Sequence, residues 1–142
     1  MADGRTFSLS LTTPDGAVFD DEAEMVIVPG AAGEIGVLAR HAPLIALLKA
    51  GSTRVYKSRA SEEIVEFATG PGFFTVESDR ALALVDSAVD VREVDPEAAR
   101  QHLEDAQAEL DRVQSGDSDA DRWQLEQRIK AAENQLAAAG HS

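Results

Sequence analysis

The chain has 142 residues and a formal net charge of -13, with 26 acidic side chains against 13 basic ones and no cysteine. Affinity for a phosphate backbone comes from clustered Lys and Arg, so this balance excludes a nucleic-acid binder of the usual basic kind. The absence of cysteine excludes a Cys-ligated zinc site and a disulfide framework. The length fits one domain, or one small domain with an appendage.

No apolar run approaches the roughly 20 residues that a membrane-spanning helix needs. The first residues, MADGRTFS, have the pattern of neither a signal peptide nor a transit peptide. We therefore expect a cytosolic protein.

Residues 1–90 carry the pattern of a β domain. Short runs rich in β-branched and aromatic residues follow one another, with turn-formers such as Pro14-Asp15-Gly16 and Gly70-Pro71-Gly72 between them. The runs are FSLSL, MVIVPG, TRVYK, EIVEFATG, GFFTVES and RALALVD. Their partial alternation predicts an antiparallel all-β sandwich or barrel.

Residues 91–142 carry the pattern of two helices. Asp95 is predicted as an N-cap, followed by Pro96 at the first helical position and by an acidic residue that the helix dipole favours. The first apolar stripe consists of Ala99, Leu103, Ala106, Leu110 and Val113. The stripe predicts a first helix that buries one narrow, alanine-rich face.

A polar segment at residues 115–118 ends the first helix, and Ser118 with Asp121 resembles a capping box for a second one. The second stripe consists of Leu125, Ile129, Ala132, Leu136 and Ala139, and Gly140 is the predicted end of the helix. Two helices joined by a short polar loop predict an antiparallel hairpin. Trp123 lies off the second stripe, which indicates contact with the β domain or a partner, or packing within the chain.

Several motifs bear on whether the chain holds a functional site. The glycine-rich segment at residues 30–36 lacks the Gly-Lys-Ser/Thr ending of a Walker loop, so a tight connection between two strands is the better interpretation. The acidic run at residues 20–24 lacks EF-hand spacing and is predicted to be a solvated loop. His41, His102 and His141 are far apart in sequence, so we predict no metal site. No serine sits in a nucleophile elbow, and we predict no catalytic residue.

The stretch EMVIVPGAAGEIGVLARHAPLIALLKAG, from Glu24 to Gly51, resembles the signature of the epsilon subunit family of the rotary proton-translocating ATP synthase, called delta in mitochondria. The matching elements are Gly33-Glu34-Ile35-Gly36, the short strand Val37-Leu38, and His41-Ala42-Pro43-Leu44. The opening TPDGAVF, the block ATGPGFFTV and the change to helices near residue 90 also fall where the family has them.

The resemblance implies a β-sandwich of about ten short strands (residues 1–90) followed by a C-terminal antiparallel two-helix hairpin (residues 91–142). It implies a noncatalytic rotor subunit of the central stalk, whose sandwich clamps the gamma subunit and sits on the ring of membrane c subunits. The ring-facing loops correspond here to Glu34, Gly36, His41 and Pro43. The hairpin is expected to reach the alpha and beta subunits, and the location is the cytoplasmic face of the bacterial inner membrane.

Some bacterial members of this family bind ATP through a short pattern at the first helix that ends in Arg-Ala. The corresponding residues here run from Val94 to Ala99, and Asp95, Glu97 and Arg100 form at most a degenerate version of that site. Arg100 lies two positions too late, which rotates its side chain by about 200° around a helix. We therefore expect weak or no ATP binding and no cofactor.

Inhibition of ATP hydrolysis in related bacteria involves basic side chains of the hairpin. The basic residues Arg122, Arg128 and Lys130 form no stripe here, and residues 91–142 hold 12 acidic against 6 basic groups. We expect at most weak inhibition. The alternative function is a free-standing nucleotide-sensing or ligand-binding sandwich, which native purification would separate from a rotor subunit.

Overall fold

The computed structural model describes residues 5–60 and 63–139. Within these ranges the chain forms ten strands and then two α-helices. The strands are β1 (Phe7–Thr13), β2 (Gly16–Ala23), β3 (Met25–Gly30), β4 (Gly33–Leu38), β5 (Leu44–Leu48), β6 (Gly51–Ser58), β7 (Glu63–Thr69), β8 (Gly72–Glu77), β9 (Arg80–Val85) and β10 (Ala88–Asp90).

The ten strands form one hydrogen-bonded sheet in the order β10-β7-β6-β3-β5-β8-β9-β1-β2, with β4 paired to β3. The sheet folds over on itself, so that β2 meets β6 and β7. Asp21 Oδ2 lies 3.7 Å from Lys57 Nζ, and the rings of Phe19 and Phe67 meet edge to face with centroids 6.5 Å apart. The predicted all-β sandwich followed by two helices is therefore confirmed.

One strand pair differs from the antiparallel prediction. β1 runs parallel to β9, in register from Ser8 opposite Arg80 to Thr12 opposite Leu84. The alternation of apolar residues identifies a strand, but it does not say which neighbour the strand takes or in which direction.

The core of the sandwich consists of the inward-facing residues of both halves. In β1, Phe7, Leu9 and Leu11 are buried, whereas Ser8 is exposed and Ser10 is half-buried, as the period of two requires. The largest fully buried apolar side chains are Phe74, Leu9, Leu11, Val26, Val28, Val37 and Val55.

The acidic run was predicted as a loop, and this prediction was wrong. Asp20, Asp21 and Glu22 lie in β2, at the end of the sheet order, and pair with β1. Their side chains are exposed, and Glu22 accepts hydrogen bonds from Thr6 Oγ1 at 3.0 Å and Ser8 Oγ at 2.9 Å. Charged side chains suit the last strand of a sheet because they oppose pairing with another chain.

The described residues divide into two compact units that separate between Asp90 and Val91. The second unit contains a 3-10 turn (Val91–Glu93), α1 (Pro96–Gln114) and α2 (Arg122–Ala139), and the two helices pack against each other. The buried residues of this unit are Ala99, Ala106, Leu125, Ala132 and Ala138. Gly140, the predicted stop, and His141 lie outside the described residues.

The caps of the two helices differ in how well they were predicted. Asp95 caps α1 as predicted, since its Oδ1 accepts from the backbone N–H groups of Glu97 and Ala98 at 3.0 and 3.2 Å. The prediction of a capping box at Ser118 was wrong. Asp121 caps α2 instead, with its Oδ1 accepting from the backbone N–H groups of Trp123 and Gln124 at 2.9 and 3.3 Å.

Neither α-helix in the described part of the chain has the length and apolar character needed to cross a bilayer. Trp123 is 65% exposed, so its ring is not packed into a core.

Candidate functional site

Four large apolar side chains stand exposed on one face of the sheet, on the neighbouring strands β5, β8 and β9. We call them the outer apolar face: Ile45 (79% exposed), Leu47 (59%), Phe73 (55%) and Leu84 (47%). Leu47 lies opposite Phe73, and Phe73 lies opposite Leu84, so these three side chains form a row across three strands. Ile45 is on the same face of β5, two residues from Leu47.

The same strands also bury apolar residues on their other face. Leu48, Phe74 and Val85, each next in sequence to a member of the outer apolar face, belong to the core. A strand that is apolar on both faces is expected where both faces are covered. The outer apolar face therefore has the character of a surface that another protein covers. The unbroken run Leu44–Leu48 is the sequence signal that would have identified it.

An open groove of about 990 Å³ adjoins this face. Pro43 and Ile45 both line it, together with polar residues of β1, β8 and β9. The groove therefore connects the outer apolar face to the segment between β4 and β5, residues 39–43, which we call the 39–43 loop.

Glu34 was predicted to be in a ring-facing loop, and it lies at the start of β4 just after a two-residue turn. Gly33 in that connection has φ +139°, which glycine tolerates, and the prediction of a tight connection between strands is confirmed. Glu34 Oε2 accepts from Arg54 Nη2 at 3.0 Å. The Nε of Arg54 is buried and has no hydrogen-bond partner among the described residues. The Glu34 carboxylate is thus already paired within the chain.

The other three predicted residues lie further along the chain. Gly36 is exposed in β4 opposite Ile27, with no atom within 4 Å of the position that a Cβ would take. His41 Nδ1 lies 2.7 Å from the backbone oxygen of Ala42. Since a carbonyl oxygen only accepts, this contact places a proton on Nδ1. Pro43 is exposed.

The structure does not bring Glu34 and His41 together. Glu34 is near the beginning of β4 and His41 lies three residues beyond its end, and the strand from Glu34 to Leu38 alone spans about 13 Å at about 3.3 Å per residue. The predicted residues therefore mark two ends of one edge of the sandwich.

A connection that the sequence did not reveal holds the 39–43 loop. The backbone N–H of Arg40 donates to Oδ1 of Asp79, in the turn between β8 and β9, at 2.5 Å. Arg40, Ser78 and Asp79 have φ of 66°, 51° and 58°, and they are the non-glycine residues with positive φ among those described. This backbone region costs a residue with a side chain on the order of 1–2 kcal/mol.

The three residues of the degenerate nucleotide site are engaged with one another. The Asp95 carboxylate caps α1, and Arg100 Nη1 forms an ion pair with Glu97 Oε1. Backbone N–H groups at the start of α1 and the Arg100 guanidinium therefore already have partners within the chain. Among the described residues, no group of three or more His, Asp or Glu side chains is arranged to hold a metal ion.

Comparison with known proteins places the chain in a family. The family model "ATP synthase, Delta/Epsilon chain, beta-sandwich domain" matches residues 6–91. The ATP synthase epsilon chain of Trichodesmium erythraeum is 34% identical over 135 residues, which is 95% of this chain and 96% of that protein.

Two solved structures share the fold. One is a chain of the Euglena gracilis mitochondrial ATP synthase, with a TM-score of 0.74, 24% identity, and coverage of 94% of this chain and 81% of that one. The other comes from the central stalk and c-ring of the Tetrahymena thermophila mitochondrial ATP synthase, with a TM-score of 0.59, 13% identity, and coverage of 95% and 97%. With the family model covering the whole sandwich and a relative aligned over both units, the chain belongs to the delta/epsilon chain family of ATP synthases.

Proposed function

We propose that the chain is a noncatalytic subunit of the central stalk of a proton-translocating ATP synthase. In this proposal it couples proton-driven rotation of the c-ring to ATP synthesis through the gamma subunit. Its place is the cytoplasmic face of the bacterial inner membrane, where the complex holds it as a peripheral subunit. Membership of the family and the likeness to chains of two ATP synthase structures support this role.

The observation that carries the proposal is the outer apolar face, which we assign to the gamma subunit. Four large apolar side chains on adjacent strands are exposed there, in register. Burial of a large apolar side chain contributes about 1.5–3 kcal/mol, and such residues dominate the affinity when they lie at the centre of an interface. We therefore assign most of the affinity for gamma to this face.

We assign the edge marked by Glu34, Gly36, His41 and Pro43 to the c-ring. Polar contacts at the rim of an interface contribute about 0–1 kcal/mol each. The Glu34 contribution is expected at the low end, because a ring residue must compete with Arg54 for its carboxylate. These contacts are suited to setting the orientation of the subunit on the ring more than its affinity.

The subunit needs no ATP as a ligand in this proposal. Asp95 and Arg100, two groups that a nucleotide would require, already bond to the α1 N-terminus and to Glu97. Titration calorimetry of the full chain with ATP is expected to show no binding at millimolar concentration. Millimolar or tighter binding would contradict this part.

Inhibition of ATP hydrolysis by the helical unit is expected to be weak. Arg122 pairs with Glu126 in the same helix at 3.1 Å, which leaves Arg128 and Lys130, about 200° apart around α2, as its other cations. Any contact with the alpha and beta subunits therefore lacks a basic stripe. A several-fold rise in ATPase activity of the complex after deletion of residues 91–142 would refute weak inhibition.

The outer apolar face can be tested with a double variant, Leu47→Asp with Phe73→Asp. Both side chains are more than half exposed, so the sandwich is expected to fold, and the charges are expected to abolish co-purification with the gamma subunit of the solubilised ATP synthase. The matched control is Ile64→Asp on β7, where Ile64 is 47% exposed outside this face. The control should co-purify normally.

Circular dichroism of both variants checks that each is folded. Retention of the folded double variant in the complex would remove the gamma assignment. Purification of the wild-type chain alone, apart from any ATPase, would instead favour a free-standing ligand-binding sandwich.

A further inference from the structure

Three segments that are distant in sequence meet at Asp79. Its carboxylate accepts the backbone N–H of Arg40 from the 39–43 loop, and its own backbone oxygen accepts the N–H of Ser8 from β1 at 2.9 Å. The 39–43 loop is thereby bonded to the turn between β8 and β9, and that turn is itself bonded to β1. A single side chain supplies the bond to the loop.

The turn that carries Asp79 is unfavourable for its sequence. Ser78 and Asp79 both have positive φ between the paired residues Glu77 and Arg80, which is the geometry of a type I′ turn. Such turns favour Asn, Asp and Gly, so Ser78 is the less favourable of the two residues. Backbone strain of this kind persists where the surrounding structure enforces it, and it is concentrated at ligand clamps and switch regions. Glycine at position 79 would ease the turn but would lose the carboxylate.

Arg40, the residue that Asp79 holds, has its cation at the protein surface. Arg40 is exposed, and within residues 5–60 and 63–139 its guanidinium forms no ion pair. It lies beside His41 in a chain whose net charge is -13. A cation on a fixed backbone, on an otherwise acidic protein, suits an acidic or polar acceptor on a partner.

We propose that Asp79 is a positioning residue for the 39–43 loop, and that Arg40 is the cation it presents to an acidic or polar loop of the c-ring. The inference rests on the proposed function, because it takes the ring as the partner. Asp79 itself touches no ring residue in this account. It acts by holding Arg40 and His41 in one backbone conformation.

The bond can be tested in the full chain by hydrogen exchange at the Arg40 amide. Asp79→Gly removes the acceptor and relieves the turn, so the amide is expected to exchange at least tenfold faster with little change in thermal stability. Asp79→Asn keeps an oxygen acceptor and tolerates positive φ, so it should retain slow exchange. Ser78→Gly relieves the turn alone and is the matched control. Unchanged exchange in Asp79→Gly would overturn the proposal.

The functional arm uses the same variants assembled into the ATP synthase in vesicles, with proton-driven ATP synthesis per assembled complex as the readout. Asp79→Gly is expected to lower synthesis at least threefold, whereas Asp79→Asn and Ser78→Gly retain it. Arg40→Gly keeps the backbone N–H but removes the cation. The amide at position 40 should therefore still exchange slowly, while ATP synthesis falls at least threefold.

The outcomes separate the two proposals. Normal synthesis by complexes that contain Asp79→Gly, with the amide released, would overturn the positioning role. Normal synthesis with Arg40→Gly would overturn the role of the cation. Failure of the wild-type subunit to assemble would remove the proposed function, and the positioning role with it.

Discussion

The two units of the chain are stabilised by different means. The sandwich buries bulky side chains completely, among them Phe74, Leu9 and Val26, whereas four of the five buried residues in the described part of the helical unit are alanines. Alanine contributes little apolar area, so the helices depend on close approach, on their caps, on Leu125 and on the partial burial of large stripe residues such as Leu110 and Ile129. We therefore expect a rigid sandwich and a helical unit that unfolds with a small change in free energy.

The difference can be measured because each unit carries one spectroscopic reporter. The chain has a single Tyr and a single Trp. Tyr56 lies in β6 and Trp123 in α2. Near-ultraviolet signals of tyrosine and fluorescence of tryptophan therefore follow the two units separately during denaturation.

The largest effect is expected from Phe74→Ala. The ring is 0% exposed, and truncation of a buried Phe costs about 3–5 kcal/mol through lost transfer energy and the cavity left behind. Urea denaturation followed through Tyr56 should show this loss. Phe73→Ala is the control, since the neighbouring ring is 55% exposed and should cost less than about 1 kcal/mol. Equal losses for the two rings would contradict the assigned faces of β8.

The next effect is expected from Leu125→Ala. Leu125 is the one large side chain among the buried residues described in the helices, and its truncation should cost about 2–3 kcal/mol. Far-ultraviolet circular dichroism should show an earlier loss of helix, while the Tyr56 transition stays in place. Trp123→Ala, in the same helix and 65% exposed, is expected to change stability by less than about 0.5 kcal/mol. A Tyr56 transition that moves with Leu125→Ala would mean that the units unfold together.

The smallest effect is expected from Asp121→Ala, which removes the α2 cap. Loss of an Asp N-cap costs about 1 kcal/mol. Asp119→Ala is the matched variant, because Asp119 is an exposed acidic residue two positions before the cap, whereas Ser118, the predicted cap, also donates to Glu109 Oε1 in α1. The midpoint temperature of helix unfolding should fall further for Asp121→Ala. Equal losses for the two variants would contradict the assignment of Asp121 as the α2 cap.

Local patterns predicted most of the elements. The period of two located strands such as β1 and β8, and the spacing of Leu103 and Leu110 located one face of α1. Asp95 was recognisable as a cap because Pro96 follows it at the first helical position. Each of these features depends on residues that are close together in the sequence.

Features that join distant residues were not predictable in the same way. The Arg54 pair with Glu34 joins two strands, and the Asp79 bond to Arg40 joins a turn and a loop, and in both cases the adjacency depends on the topology of the sheet. The strand β2 was missed because its acidic residues are unusual in strands, and the pairing with β1 overrides that preference. For the candidate site, the resemblance supplied Glu34 and His41 but not the strain at Arg40.

The parallel pairing of β1 with β9 also has a consequence for how the chain is made. Arg80, the partner of Ser8 in β9, is synthesised about 70 residues later. At a translation rate of about 5–20 residues per second, β1 therefore lacks this partner for on the order of 4 to 14 s. During that time β1 can pair with β2, and its other edge is open to neighbouring chains. Ser8 and Ser10 on the outward side of β1 lower the hydrophobicity of the β1–β2 hairpin, which limits aggregation before β9 is synthesised and the sandwich forms.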